Sequence, residues 1–414
     1  MSDLQDLREV ESADVYKKGR LAARLERRAE GVIFRYLPEY LSDPGPAVAT
    51  TLPISGEEVL KSAGAVPPYF AGLLPEGARL TSMISRLKTS ADDELSLLLA
   101  VGADTIGDVQ VIPTGTPLSD PQPRLKVADN WNTQDFRELF RSSVQIEDSG
   151  WERVGLPGVQ PKVSAEMISF PISTGHHILK LSPPEYPRLA ENEAFFLRLA
   201  QDCGIRIPEV ELVHDKRGES GVLVRRFDRA ANGVRLAQED ACQLLGRYPA
   251  DKYRVSMEQV AGAVKDTSGA PIPDILNLVS IAVFCFLIGN GDLHAKNVSM
   301  GELLGQDRLR LTPTYDLIST IAYLPDDQQA LPISGRRARL TTRNYVDFSQ
   351  RYQVSERATR RSIQRICDVV ELGIKELSEV GFSDDVEARL TAEVRNRIAS
   401  LRQGLIVDKS SASS

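Results

Sequence analysis

Residues 275–288 read ILNLVSIAVFCFLI, with only Asn277 and Ser280 to break the apolar run. Such a stretch has no polar face to turn to water, so it predicts a helix enclosed on all sides. Its longest apolar part, residues 278–288, is interrupted by Ser280 and falls short of the ~20 residues that a bilayer span takes. The rest of the chain must therefore build a core around it, and a hydrophobic fraction of 42% is enough for that. Beyond Ile288 the character of the chain changes abruptly. The next residues, GNGDLHAKNVS, crowd Asn290, Asp292, His294, Lys296 and Asn297 into one short loop. A turn there needs Gly291, but it does not need the others.

Asp292 and Asn297 are five apart, and Asp316, in TPTYDLIS, comes nineteen residues after Asn297. Two carboxylates and an amide are hard oxygen donors of the kind that hold Mg²⁺ together with substrate phosphates. Protein kinases space a catalytic Asp and a metal-binding Asn in this way, with a second metal-binding Asp further on. A lone Asp-x-x-x-x-Asn is weak, because loops use both residues as caps. In HHILKL, Lys180 sits in the middle of an apolar strand pattern, and AENEAFF comes next with Glu191 and Glu193. A buried lysine calls for an anionic partner, and a helix glutamate plays that part in kinases. The alternative is an edge strand whose lysine reaches solvent. VGLPGVQPKVS, residues 154–164, offers Gly155, Gly158 and Lys162 for an anion, with Pro157 and Pro161 stiffening the turn. It lacks Walker A spacing. VLVRRFDR, residues 222–229, reads as a strand that exposes backbone beside a lobe junction, or as a plain strand with an exposed arginine pair.

Along the chain, residues 1–30 begin with a loose polar lead, and GVIFRY reads as a strand. Helices are expected around EEVLKS and DDELSLLLAVG, and VQVIP as a short strand. Residues 113–130, rich in Pro, Asp and Ser, make the best linker. ISFPI, HHILKL, VELVHD and GVLVRRFDR read as strands, the last two as a hairpin across DKRGES. ENEAFFLRLAQDCGI reads as a helix ended by Gly204. From about 236 the pattern is helical: QEDACQLLG, MEQVAGAVKD, the apolar run, RSIQRICDVVELGIKELSEVG and DDVEARLTAEVRNRIASLRQ. The net charge of −7 argues against a surface given over to nucleic acid. Four cysteines without CxxC spacing suit a reduced, cytoplasmic protein. His176 and His177 have no ligand partners at zinc spacing.

Taken together, these segments resemble the HipA-type serine/threonine kinases of bacterial toxin–antitoxin systems. FRYLPEYL, FAGLLPEG and LLLAVGADTIGDVQVIP are similar to the family's N-terminal domain. PGVQPK, HHILKL, NEAFFLRLA, RRFDR, QEDACQ, GDLHAKN and TPTYDLIS are similar to successive motifs of its kinase core. The resemblance implies an α+β fold: a two-lobed protein-kinase-like core, lipid-kinase-like in its C-lobe, behind a small α/β N-terminal domain. The implied divisions are 1–113 for the N-terminal domain, 114–150 for a linker and connecting helix, 151–235 for a β-rich N-lobe, 236–408 for a helical C-lobe and 409–414 for a disordered tail.

It also implies roles. Asp292 is the catalytic aspartate, and Asn297 and Asp316 hold Mg²⁺. Lys180 contacts the ATP phosphates with Glu193 as partner. Pro157, Gly158, Val159, Gln160, Pro161 and Lys162 cover the phosphates, and Arg225, Arg226 and Phe227 present the hinge to adenine. Gln238, His294, Ala295, Lys296 and Tyr315 complete the ATP site. The family's phosphate loop carries a serine that the kinase phosphorylates on itself. Here that position is Gly155, with Ser149 and Ser164 only flanking it, so self-inactivation there is not expected. The implied activity is phosphorylation of a translation-related protein, such as an aminoacyl-tRNA synthetase, with growth arrest. The implied partner is a HipB-like helix-turn-helix antitoxin, DNA being met only through it, and no membrane is involved. Two alternatives stand beside this: a kinase-fold co-repressor that mainly binds the antitoxin, and a small-molecule kinase. Residues 336–365 hold nine arginines against Asp347 and Glu356. They form either a solvated helical face or a basic contact surface.

Overall fold

The computed structural model describes residues 4–118, 131–144, 168–171, 176–303 and 308–406. Strands β1 (Ser12–Lys17), β2 (Arg20–Arg28) and β3 (Gly31–Tyr36) form an antiparallel meander. After helix α1 (Pro38–Ser42), strand β4 (Val59–Ser62) pairs with β3. Helices α2 (Pro68–Ala71), α3 (Gly77–Leu87) and α4 (Glu94–Val101) come next, and β5 (Val109–Pro113) returns beside β1. The sheet order is β4-β3-β2-β1-β5.

Two expectations fail here. The polar lead contains β1 and β2, the middle of this sheet. Its charges pair across strands: Asp14 stands opposite Arg24 in the ladder, with 3.0 Å between them, while Ala13, Val15, Ala23 and Leu25 are buried. EEVLKS is not helical either, because its last four residues are β4. Pairing with β3 decides that outcome over local propensity. Gly31 makes the pairing possible, since a Cβ there would stand 1.9 Å from the Lys61 carbonyl oxygen.

The middle of the chain begins with helix α5 (Phe136–Val144). It then lays down β6 (Ile168–Pro171), β7 (His177–Leu181), helix α6 (Leu189–Asp202), β8 (Val210–His214) and β9 (Ser220–Arg225). These strands form an antiparallel sheet of order β6-β7-β9-β8. Ala190 and Ala194 of α6 pack against Val222 and Val224. Phe136 packs against Leu179, Leu181 and Val213. The β8–β9 turn is knotted by Asp215, whose carboxylate accepts the N–H groups of Phe136, Arg217 and Glu219.

The last part is helical: β10 (Gln238–Asp240), α7 (Ala241–Leu244), α8 (Met257–Thr267), α9 (Pro271–Ile288), β11 (Ser299–Gly301), β12 (Arg310–Leu311), α10 (Thr342–Gln350), α11 (Glu356–Gly373) and α12 (Asp384–Ile406). QEDACQLLG is thus strand before it is helix, because Gln238–Asp240 pair with β11 and Asp240 then caps α7 with Gln243. Helix α10 has no counterpart in the sequence reading. Its polar residues mask Tyr345, Val346 and Phe348, which are buried. Helix α9 lies at the centre, with α8, α10, α11 and α12 around it. At 18 residues it is longer than the apolar run suggested and meets the length and composition of a membrane span. However, 67% of that window is buried inside the protein, which marks it as a core helix. It starts on proline and ends on Gly289 in the left-handed conformation, φ +71°.

Candidate functional site

The end of α9 is the mount for the polar loop. Gly291 donates its N–H to the Thr320 hydroxyl at 2.8 Å, and Asn290 accepts the Asp292 N–H at 2.8 Å. A Cβ on residue 291 would meet the Asp327 carboxylate at 2.1 Å, so any larger residue there must push that side chain aside. Asp292 is 3% exposed, and one of its carboxylate oxygens accepts the Tyr253 hydroxyl at 2.7 Å. Burial and the Asp292 charge hold the Tyr253 phenol protonated, well above its ordinary range. The ring of His294 meets Tyr253 edge-on, with 5.1 Å between centroids. Burial and the nearby Lys252 ammonium push the His294 imidazole down to about 3, so it stays neutral and acts as a wall of the loop. The loop closes in a short 3-10 turn, Ala295–Asn297, where the Asn297 amide oxygen accepts the His294 N–H at 3.1 Å.

The other end of the Asn297 amide donates to Asp316 at 3.0 Å. Asp316 has φ +55°, a conformation that side-chain-bearing residues seldom adopt, and the Asn290 amide donates to its carbonyl at 3.4 Å. Its second carboxylate oxygen takes the Lys180 ammonium. Lys180 also reaches Glu193 of α6 at 2.6 Å. Burial works against charge on Lys180, but Asp316 and Glu193 outweigh it and raise its pKa, so it remains an ammonium. One ammonium thus faces two carboxylates. Of the two, Asp316 is the more open, at 29% exposure against 1% for Glu193.

Among the described residues no cluster of three or more His, Cys, Asp or Glu side chains is set to hold a metal. Asp316 and Asn297 supply one carboxylate and one amide, the sparse protein share typical of Mg²⁺ when phosphates complete its shell.

Tyr315 donates to the Lys296 carbonyl at 2.7 Å, bonds Ser299 at 2.6 Å, and faces Phe227 with 5.9 Å between rings. Gln238 lies buried in β10 opposite Gly301.

Other singled-out residues point elsewhere. Arg225 is exposed and pairs with Glu209, but Arg226 is buried. Its guanidinium binds Asp228 at 2.8 Å and reaches Asp104 of the N-terminal domain at 3.3 Å. The pair is therefore not an exposed one. Their backbone N–H groups serve the carbonyls of Glu209 and His176. The Lys296 ammonium turns away from Asp316 to Glu76, at 2.8 Å, and to the Gly72 carbonyl, at 3.0 Å. Residues 149–164, with Gly155 and the segment from Pro157 to Lys162, lie outside the described residues. Sequence reasoning missed Asn290, Tyr253 and Glu76 as members of this site. Asn290 stands in the polar loop itself, and Glu76 stands in FAGLLPEG, but neither spacing nor periodicity points from Tyr253 or Glu76 to the loop.

The chain is similar to known proteins over most of its length. Residues 13–112 match the HipA N-terminal domain family, and residues 154–373 match the HipA-like C-terminal domain family. The chain is 30% identical over 385 residues to the putative kinase Y4mE of Sinorhizobium fredii, covering 87% of this chain and 90% of that protein. It is 28% identical over 314 residues to the serine/threonine-protein kinase toxin HipA of Shewanella oneidensis, covering 69% of each. Among solved structures, a Shewanella oneidensis complex of HipA, HipB and operator DNA matches with a TM-score of 0.73 and 22% identity. That match covers 95% of this chain and 99% of the other.

Proposed function

The chain belongs to the HipA family of serine/threonine-protein kinases. From that premise we propose that it transfers the γ-phosphoryl group of ATP to a serine or threonine of a protein, using Asp292, Lys180, Asn297 and Asp316. The observation that supports this most is the buried Lys180–Glu193–Asp316 set, joined through Asn297 to the loop of Asp292.

In this reading the acceptor hydroxyl oxygen bonds to the γ-phosphorus as the bond to the β–γ bridging oxygen breaks. ADP leaves, and the hydroxyl proton passes to the Asp292 carboxylate. Tyr253 keeps that carboxylate aimed through its hydrogen bond. Lys180 offsets charge on the α- and β-phosphates, and Glu193 holds the lysine in place. Asp316 and Asn297 would hold Mg²⁺, which when bound neutralises charge between the phosphates. The backbone of residues 225–227, the Phe227–Tyr315 ring pair and Gln238 flank the base. His294, Ala295 and Lys296 shape the loop, and residues 157–162 cover the phosphates. Most of the rate gain comes from positioning and charge. Residues 1–113 act as the N-terminal domain, 151–235 as the N-lobe and 236–408 as the C-lobe.

The chain would bind a HipB-like antitoxin, as the likeness to a Shewanella complex of HipA, HipB and operator DNA supports, and would meet DNA only through that partner. Its four free, buried cysteines suit a reducing cytoplasm. The substrate class we favour is a translation-related protein such as an aminoacyl-tRNA synthetase, with growth arrest as the consequence. A purely co-repressing role is less favoured, because the Lys180, Glu193, Asp316 and Asn297 set is complete. A small-molecule substrate is disfavoured by the N-terminal domain match.

The test is transfer of label from γ-³²P-ATP into a cell lysate, with the Asp292→Ala variant as control. A single labelled protein band, with turnover at least ~10²-fold lower in the variant, is expected. A labelled small molecule, no label, or an Asp292→Ala variant within a few-fold of wild type would refute the reading.

A further inference from the structure

We propose that Glu76, a residue of the N-terminal domain, is a positioning residue for phosphoryl transfer: its single carboxylate holds both segments that orient Asp292 and Asn297. The inference rests on the proposed kinase function and gives the N-terminal domain a part in it.

Glu76 stands at the N-terminal boundary of α3 and reaches into the C-lobe. One of its oxygens binds the Lys296 ammonium at 2.8 Å, and the other binds the Lys252 ammonium. Each lysine is the immediate neighbour of a residue of the site. Lys252 precedes Tyr253, whose hydroxyl donates to Asp292 at 2.7 Å. The Lys252 ammonium also lies 5.3 Å from the Tyr253 ring centroid, and its carbonyl accepts the Ala295 N–H at 3.1 Å. Lys296 precedes Asn297, whose amide donates to Asp316 at 3.0 Å, and the Lys296 carbonyl accepts the Tyr315 hydroxyl at 2.7 Å. One carboxylate thus clamps two backbone segments, and each delivers one group to the reacting centre.

The charges make the clamp hard to replace. The two lysine side chains are 11% and 14% exposed. Without Glu76 they become neighbouring, largely desolvated cations that repel each other. Burial disfavours the Glu76 charge, but the two ammoniums outweigh it and hold the carboxyl down to about 2. The clamp is therefore closed at every working pH. Other bonds join the domain to the rest of the chain, Lys18 to Glu302 at 2.7 Å and Asp104 to Arg226 at 3.3 Å among them, and in one of them Thr50 donates its N–H at 2.9 Å and its hydroxyl at 2.7 Å to Glu239. That contact touches neither lysine, so docking and loop positioning can be separated.

The experiment compares full-length wild type, Glu76→Gln, Glu76→Asp and Thr50→Val by two readouts: kcat and KM for ATP, and hydrogen exchange of a peptide spanning residues 290–299. Glu76→Gln is expected to lower kcat by about 10²-fold, as for a misplacement near 1 Å, with KM for ATP within about threefold. Its loop amides, Ala295 and Asn297 among them, should exchange faster. Glu76→Asp, which restores charge one methylene shorter, should recover part of the rate, and Thr50→Val should keep wild-type kcat. A Glu76→Gln kcat within threefold of wild type, or an unchanged loop exchange, overturns the proposal. So does an equal kcat loss in Thr50→Val, since that would make docking alone responsible. If Glu76→Gln does not fold, Glu76→Asp carries the same two readouts against wild type. If wild type transfers no phosphate, the kinase reading falls and loop exchange alone decides whether Glu76 positions the loop.

Discussion

Replacing Lys180 by methionine keeps an unbranched apolar side chain in β7 and removes only the ammonium. Glu193, whose side chain is 1% exposed, then loses its cation, whereas Asp316, at 29%, can still be solvated. Two outcomes compete for Glu193. Left ionised, it costs about 3–5 kcal/mol, the usual cost of breaking a buried pair from one side. Protonated instead, it costs about 1.4 kcal/mol for each pH unit above the ordinary glutamate value near ~4.3. That amounts to about 2 kcal/mol at pH 6 and about 5 kcal/mol at pH 8. The chain takes the smaller of the two, so Lys180→Met should lose about 2 kcal/mol at pH 6 and about 3–5 kcal/mol at pH 8. The sign comes from the raised folded-state pKa of the stranded carboxyl: the folded variant binds the proton more tightly than the unfolded one, so its deficit grows as pH rises. Urea unfolding monitored by tryptophan fluorescence measures it, because Trp131 packs on Phe136 against β7. The double variant Lys180→Met/Glu193→Gln should regain most of the loss. A deficit that is equal at both pH values, or a double variant no better than the single, would refute the reasoning.

Four further outcomes are expected. Asp316→Asn should weaken Mg-ATP binding about tenfold or more by calorimetry, since charged hydrogen bonds contribute about 1.5–3 kcal/mol; unchanged affinity would place the metal elsewhere. Asp274 is buried and bound by Arg310, Ser268 and the Leu311 N–H. Burial opposes its charge, but these partners outweigh it and lower its pKa. The stability gap between wild type and Asp274→Asn should therefore be full above about pH 5 and close as pH falls through the lowered value; a gap independent of pH in acid unfolding would count against this. Gly291→Ala should push Asp327 aside, costing about 1–3 kcal/mol in unfolding measurements and a larger share of kcat; wild-type turnover would show that the turn tolerates a Cβ. Mass spectrometry after incubation with Mg-ATP should find no phosphate on residues 149–164, and a phosphoserine at 149 or 164 would contradict the reading of Gly155.

The readable parts of the sequence were those where local pattern and tertiary role coincide. The run ending at Ile288 has no polar face, so its burial came from composition alone. Lys180 was conspicuous because a charge stood among Ile178, Leu179 and Leu181, and the helix carrying Glu193 began a few residues later. The hairpin across DKRGES declared itself through its turn residues. The illegible parts depend on partners distant in sequence. In RLAARLERR the arginines look solvated until Asp14 and Asp93 are seen beside Arg24 and Arg27. EEVLKS carries helix-forming residues and becomes a strand because β3 offers it an open edge. Glu76 and Tyr253 gave no local sign, since their meaning lies in where Lys252, Lys296 and Asp292 arrive after folding.

The Glu76 clamp also bears on the order in which the protein is made. Glu76 leaves the ribosome 176 residues before Lys252, and Gly72 leaves 224 residues before Lys296. The segment that carries Glu76 is therefore made well before the two lysines that it clamps. The loop of Asp292 meets its clamp only once the chain has grown past residue 296. A nascent or prematurely terminated chain that has not passed residue 296 lacks Lys296, so the clamp cannot assemble in it.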